Sequence, residues 1–408
     1  MAPTCSPRAS PNSQETPVPV TDAELHARFR PLFEKIAAGA VERELSRRLP
    51  VEEIAALRDA GFGAVRLPVE AGGAGASLRQ LFALLVELGA ADSNIPQALR
   101  THLLFAELWS AGAADDPVLR GRLEQVAAGR LVGNAISERG GVVRNSSTTV
   151  LRRDGDRLLL EGEKFYCTGT LYADLVDVVA LDEDGSRVSV LVETSAPGVE
   201  RIDDWRGFGQ KLTASGTTRF TAVEVDPAQV RPAPTDAHQP VRQGFLQLVQ
   251  LAALAGIARR AADDAAAYVR DRRRNWPYGN ADLPRDDPLV QQVVGKVDAA
   301  AFTVAAVVDA AAASLERALS EPGHGPAAEL DVYRAQSTVP QLVLDATSEL
   351  FEVGGASTVD VDRALDRHWR NARTLAVHNP IVYKQQVVGA FALNGTVPVL
   401  SLSPGVAG

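Results

Sequence analysis

Residues Thr148–Thr170 read TTVLRRDGDRLLLEGEKFYCTGT. Two strand-like runs flank Asp154-Gly155. A strand shows alternate side chains to opposite faces, and Asp-Gly accepts the positive φ of a tight hairpin, so the stretch predicts two antiparallel strands. LVDVVALDEDGSRVSVLVET (175–194) repeats the device at Asp184-Gly185, and TTRFTAVEVD (217–226) alternates cleanly. These runs predict a middle β domain over 131–235, a small barrel or sandwich.

On both sides of this zone the apolar period changes from two to that of a helix. TDAELHARFRPLFEKIAAGAVERE opens with Thr21 or Asp22 as N-cap and Glu24 in its first turn, PVEEIAALRDAGFGAV closes at Gly61, and two further helical runs follow. A helical domain over 21–130 is expected. Beyond the strands, long amphipathic runs from about 242 predict a C-terminal helical bundle domain over 236–408. Their many alanines permit close helix packing and suit contacts between subunits. The fold class expected is α+β, mostly α: N-terminal helices, a middle β-barrel and a C-terminal four-helix bundle.

The chain has 408 residues and a formal net charge of −9, which argues against nucleic acid or an anionic membrane as the main partner. Residues 1–20 are rich in Pro, Ser and Thr without an apolar stretch, and read as a disordered tail. No run of eighteen uninterrupted apolar residues occurs, so no membrane span is expected. Cys5 and Cys167 are far apart, fitting a reducing cytoplasm. The six histidines show no zinc spacing, so no metal is expected. No G-x-G-x-x-G segment for nicotinamide is visible.

Four segments carry a family resemblance: LVGNAISERGG (131–141), LEGEKFYCTGT (160–170), DDWRGFGQKLTASGTTRF (203–220), and FEVGGAS (351–357) with RHWRNARTLAVHNP (367–380). In this order they resemble the acyl-CoA dehydrogenase superfamily, and within it the two-component flavin-dependent monooxygenases of the dibenzothiophene monooxygenase-like branch. The resemblance implies reduced FMN (FMNH2), with FAD the other possibility, delivered by a separate NAD(P)H:flavin reductase. It also implies reaction with O2 through a C4a-hydroperoxide to oxygenate a small molecule at S, N or C, in a homotetramer.

Dehydrogenases of this superfamily use a carboxylate base that the alignment lays on Asn379, which has no ionisable group. His378 beside it is then the candidate proton donor, the other reading being a cap on the helix C-terminus. Asn379 is the candidate orienting amide. The resemblance places Asn134 and Thr168 at the flavin ring, with Ser137 a weaker case, and Trp205 along the isoalloxazine. Lys211, Thr213, Ser215, Arg273 and Arg274 are candidates for the flavin phosphate, and Gly354-Gly355 for close approach to the cofactor tail. Gln97, Thr101, His102 and Tyr166 are substrate-pocket candidates, with His102 a second acid/base candidate. Arg370 and Arg373 read as salt-bridged structural residues. Two alternatives stand beside this reading: an FAD-dependent acyl-CoA dehydrogenase with its base displaced, for instance to Asp263 or Asp264, and a scaffold that has lost flavin.

Overall fold

The computed structural model describes residues 20–139, 148–233 and 241–398. The expected tail at 1–20 lies outside these residues except for Val20. Six helices come first: α1 (Asp22–Ala38), α2 (Ala40–Ser46), α3 (Val51–Asp59), α4 (Leu78–Ala91), α5 (Asn94–Gly112) and α6 (Pro117–Ala127). Thr21 is the N-cap of α1, in a reciprocal capping box with Glu24.

Among the described residues eight strands follow: β1 (Val132–Ala135), β2 (Val150–Asp154), β3 (Arg157–Lys164), β4 (Leu175–Leu181), β5 (Arg187–Glu193), β6 (Val199–Ile202), β7 (Thr217–Val225) and β8 (Val230–Pro232). They form one sheet with the path β6-β7-β3-β2-β4-β5-β8, and β1 pairs parallel to β4. The β2–β3 and β4–β5 hairpins turn at the two Asp-Gly pairs, with Gly155 at φ 61° and Gly185 at φ 75°. Leu151, Leu160, Val176, Val178, Val190 and Val223 form a core belonging to the sheet alone.

The C-terminal helices are α7 (Arg242–Asp271), α8 (Pro288–Ser320), α9 (Gly325–Glu349), α10 (Asp366–Ala376) and α11 (Ile381–Asn394). α7 is the central one, packed on α4, α5, α8 and α9. Its alanines 252, 253, 255, 258, 261 and 265 are buried inside the protomer, so on this helix the small residues serve internal packing, not the subunit contacts expected. The helix stops at Asp271, and Arg272 turns extended to donate from Nη1 to the Val353 carbonyl at 3.0 Å.

α8 is long and apolar enough, by length and composition, to cross a membrane. One of its stripes (Val297, Val304, Val308, Ala312, Leu315) is bundle core, as in a helix packed on one side. Two acids of the bundle have settled places. Asp264 accepts from His368 Nε2 at 2.8 Å, Arg367 Nη2 at 2.7 Å and Arg260 Nε at 2.8 Å. Burial opposes its ionisation, but these donors and cations hold its carboxyl far below the usual range. Asp263 is exposed.

Candidate active site

Thr168 leaves β3 on a loop that closes against α5. The close approach requires glycine at 169: its φ is 81°, and a Cβ there would lie 2.1 Å from the Ala98 carbonyl oxygen. The Thr168 hydroxyl meets Ser215 Oγ at 2.8 Å, Ser215 meets Thr213 Oγ1 at 2.7 Å, and Thr213 donates to the Gln210 carbonyl at 2.9 Å. Each hydroxyl has a single hydrogen. Thr213 spends its own on Gln210, so Ser215 donates to Thr213 and Thr168 donates to Ser215. Thr168 Oγ1 is left with lone pairs to accept from an outside donor.

The Gln210 carbonyl also accepts from Trp205 Nε1 at 2.9 Å, so the indole and the hydroxyl chain hang from one peptide. Gln210 and Ala214 sit at φ 50° and 52°, strained for residues with a Cβ. Asn94 Oδ1 holds this loop by accepting from Leu212 N at 3.1 Å. Tyr166, at φ 60° and exposed, meets Trp205 edge-on with ring centroids 5.9 Å apart.

Asn134 stands on β1, half-buried. Thr101 Oγ1, from α5, donates to its Oδ1 at 2.8 Å. Its Nδ2 has no hydrogen-bond partner among the described residues and is available as a donor. A free amide donor, a free hydroxyl acceptor and an indole wall are the donor set and surface that suit a reduced flavin ring, with its N5–H and carbonyl edge. The residues present therefore fit the cofactor.

His378 follows the end of α10, and its ring does not cap that helix. Arg100 Nη1, from α5, lies 3.3 Å from Nε2, and Asn379 Nδ2 lies 3.2 Å from Nδ1. Burial among these neighbours and the Arg100 cation push its pKa down to about 3. His378 is neutral at pH 7. Arginine only donates, so Nε2 accepts and Nδ1 carries the hydrogen. Asn379 Nδ2 donates to Gln247 Oε1 at 2.8 Å, so its 3.2 Å approach to the protonated Nδ1 is a packing contact and not a hydrogen bond.

Other expectations are corrected. Val132 N donates to His102 Nδ1 at 3.2 Å, and His102 Nε2 faces the Gly63 carbonyl at 3.1 Å. Both ring nitrogens are occupied by backbone, so His102 ties β1 to the N-terminal helices and is no acid/base group. Burial lowers its pKa to about 4. An unfolded histidine titrates near 6.5, so between about pH 6.5 and 4 the unfolded chain binds the extra proton and stability falls with acid. Urea titrations across that window should show His102→Gln with a shallower pH slope, by about 1.4 kcal/mol per pH unit. An unchanged slope would mean that the imidazole titrates normally in the folded protein.

Ser215 is buried and its hydrogen is committed, so neither it nor Thr213 is free for a phosphate. Lys211 faces Glu44 at 3.9 Å. Ser137 is exposed and outside the cluster. Gly354 is explained by Tyr268, whose ring a Cβ would meet at 2.3 Å, while Gly355 faces open space. Arg273 and Arg274 are exposed on a separate cavity with Trp276 and Asn280. Arg370 pairs with Asp366 and Glu44 as expected of a structural arginine; Arg373 makes no ion pair among the described residues. A cavity of about 290 Å³ in the N-terminal helices, lined by Arg28, Arg58 and Arg130, shares only His102 with the candidate residues.

The sequence reading missed Arg100. The signal was an arginine in NIPQALRTHLLF with no acidic residue within one helical turn on either side.

Comparison with known proteins settles the family. Residues 23–115 match the acyl-CoA dehydrogenase N-terminal domain and residues 248–382 the acyl-CoA dehydrogenase C-terminal domain. A probable FMNH2-dependent monooxygenase, SfnC of Pseudomonas putida, is 30% identical over 387 residues, 91% of this chain and 95% of that protein. The chain belongs to the acyl-CoA dehydrogenase family. Dibenzothiophene monooxygenase of Rhodococcus qingshengii is 29% identical over 414 residues, covering 96% of this chain and 98% of its own. Methanesulfinate monooxygenase MsuC of Pseudomonas fluorescens superposes with TM-score 0.83 at 28% identity, over 92% of this chain and 98% of that one. TdsC of Paenibacillus sp. A11-2, solved with FMN and indole, gives TM-score 0.83 at 25% identity, over 93% and 100%. Within this family the position of Asn379 is telling. Among the described residues no carboxylate lies in hydrogen-bond or ion-pair contact with Arg100, Asn134, Thr168 or His378.

Proposed function

We propose that this chain is the oxygenase of a two-component flavin-dependent monooxygenase. It takes reduced FMN from a separate NAD(P)H:flavin reductase and transfers one atom of O2 to a small organic substrate. The observation that carries the reading is the missing base. An acyl-CoA dehydrogenase must remove a proton from carbon, and the cluster offers only amides, hydroxyls, a guanidinium and an imidazole whose basic Nε2 lone pair is taken by Arg100. Asp264, the acid available for a displaced base, is closed off by three cationic or N–H donors. The relatives named for FMN and for oxygenation support the same choice.

Bound reduced FMN would supply the electrons that activate O2. Thr168 Oγ1 would accept from the ring N5–H, and Asn134 Nδ2 would donate to the ring edge, its orientation held by Thr101. Trp205 and Tyr166 would wall the ring and keep water from it. His378 holds its one hydrogen on Nδ1 and presents Nε2 to Arg100, so it exchanges a proton with the pocket only through that neutral form. Arg273 and Arg274, exposed and without a carboxylate partner among the described residues, would hold the FMN phosphate, on a neighbouring subunit of a homotetramer. α11 buries none of its residues within the protomer. Its Tyr383 and Leu393 are 69% and 84% exposed, and Phe302 on α8 is 77% exposed, an apolar face that suits coverage by other copies. Light scattering that returns the mass of a single chain would contradict the tetramer. A buried free thiol at Cys167, its pKa raised to about 11 by burial, fits a reducing cytoplasm.

The test supplies FMNH2 from an added reductase under ¹⁸O2 with methanesulfinate, indole and dibenzothiophene as trial substrates. One ¹⁸O atom in a product supports the reading. Reduction of bound flavin by an acyl-CoA, with no oxygen incorporated, overturns it.

A further inference from the structure

Arg100 contacts His378 in the proposed catalytic cluster, and among the described residues it has no carboxylate partner. Among the described residues its single polar contact is to a neutral imidazole. It lies half-buried on α5, and burial lowers its pKa to about 10, so it stays charged at neutral pH. A cation drawn out of water without a counter-ion is costly, and charged side chains in protein interiors are normally paired. The same helix holds a second unsatisfied group. Gln97, one turn earlier on the same face, is 6% exposed, yet its carboxamide makes no hydrogen bond among the described residues and its Oε1 is fully buried. Thr101, next on that face, is the residue that orients Asn134. α5 therefore presents a cation and an unpaired amide beside the residues that would hold the flavin.

We propose that Arg100, with the Nε2 of Gln97 beside it as a second donor, binds the acidic group of the substrate, so that the enzyme selects a small organic anion (a carboxylate, sulfinate or sulfonate) over uncharged molecules of the same shape. This rests on the monooxygenase reading and specifies its substrate class. A guanidinium suits such a group because its N–H fork matches two oxygens at once. The unpaired state is then the signature of a site awaiting its counter-ion. His378 Nε2 holds the guanidinium in place without neutralising it, which a carboxylate at this position would do.

The test measures equilibrium binding to the FMN-loaded protein by calorimetry for two matched pairs: methanesulfinate with dimethyl sulfoxide, and benzenesulfinate with methyl phenyl sulfoxide. At least one anion should bind tenfold or more tightly than its uncharged counterpart. Arg100→Met, which keeps the length and removes the charge, should weaken that anion about 30-fold or more while leaving the sulfoxides and FMNH2 within about twofold. The apo variant should melt at or above the parental temperature, since an unpaired cation has been removed. Three results overturn the proposal: no anion preferred over its counterpart; a loss of FMNH2 affinity equal to the loss of anion affinity, which would make Arg100 a counter-ion of the reduced ring; or a melting temperature lowered by several degrees, which would make it structural. Failure of the parent reading shows separately, as absence of FMN binding in both redox states, and takes this proposal with it.

Discussion

Thr168→Val should fold like the parent chain and bind reduced FMN about 10- to 100-fold more weakly, with most of the reducing equivalents lost as hydrogen peroxide. The substitution is nearly isosteric and β-branched, so the loop and its glycine at 169 keep their geometry. What disappears is a single oxygen whose lone pairs the hydroxyl chain has turned outward. Ser215 then lacks a donor, and the ring N–H that Thr168 would have met is left unsatisfied in a site shielded from water. An unsatisfied buried donor costs about 1–3 kcal/mol, the source of the expected range. Anaerobic titration with FMNH2 and a peroxide assay under turnover are the measurements. Thr168→Ser, which restores the oxygen, should recover both. Wild-type affinity in the valine variant would remove Thr168 from the ring edge.

The second large effect is on stability. Gly256→Ala should destabilise the protein by about 3 kcal/mol, the upper end of the usual cost of overpacking. α4 and α7 cross with their backbones in contact. A Cβ at 256 would lie 2.4 Å from the Gly89 carbonyl carbon and 2.5 Å from Ala90 N, and at 89 it would lie 3.1 Å from Ala253 Cα. No side chain at the crossing can rotate away, so the helices must separate. α7 carries Gln247, which contacts Asn379, and α4 leads directly into α5. Reduced FMN affinity should therefore fall along with the chemical-denaturation midpoint. A variant with an unchanged midpoint would show that the crossing is looser than the structure has it.

The helix, strand and helix order was legible because periodicity is a local property. The two Asp-Gly hairpins, the Thr21–Glu24 capping box and the stop at Gly61 needed only neighbours within a few residues. Ala-rich α7 shows where local reading fails. Alanines at helical spacing announce close packing but do not say against what, and here the partner is α4 of the same chain. The end of α7 is a second case: after Asp271 the chain leaves the helix where Arg272 meets the Val353 carbonyl, 81 residues away.

The candidate site divides in the same way. That position 379 carries an amide and no acid is written in the chain, and it alone removes the simplest dehydrogenase chemistry. Whether a given histidine can trade protons is not written there. His102 and His378 are equally plausible by type, yet one is bonded at both nitrogens to backbone, and the other is kept neutral by burial and by Arg100, 278 residues earlier. Residue identity supplies the chemical groups and the periods that fold them. Charge state, the direction of lone pairs and which cation lacks a partner depend on groups brought within about 3 Å from distant parts of the chain, where close approach away from water makes Coulomb and hydrogen-bond energies strong.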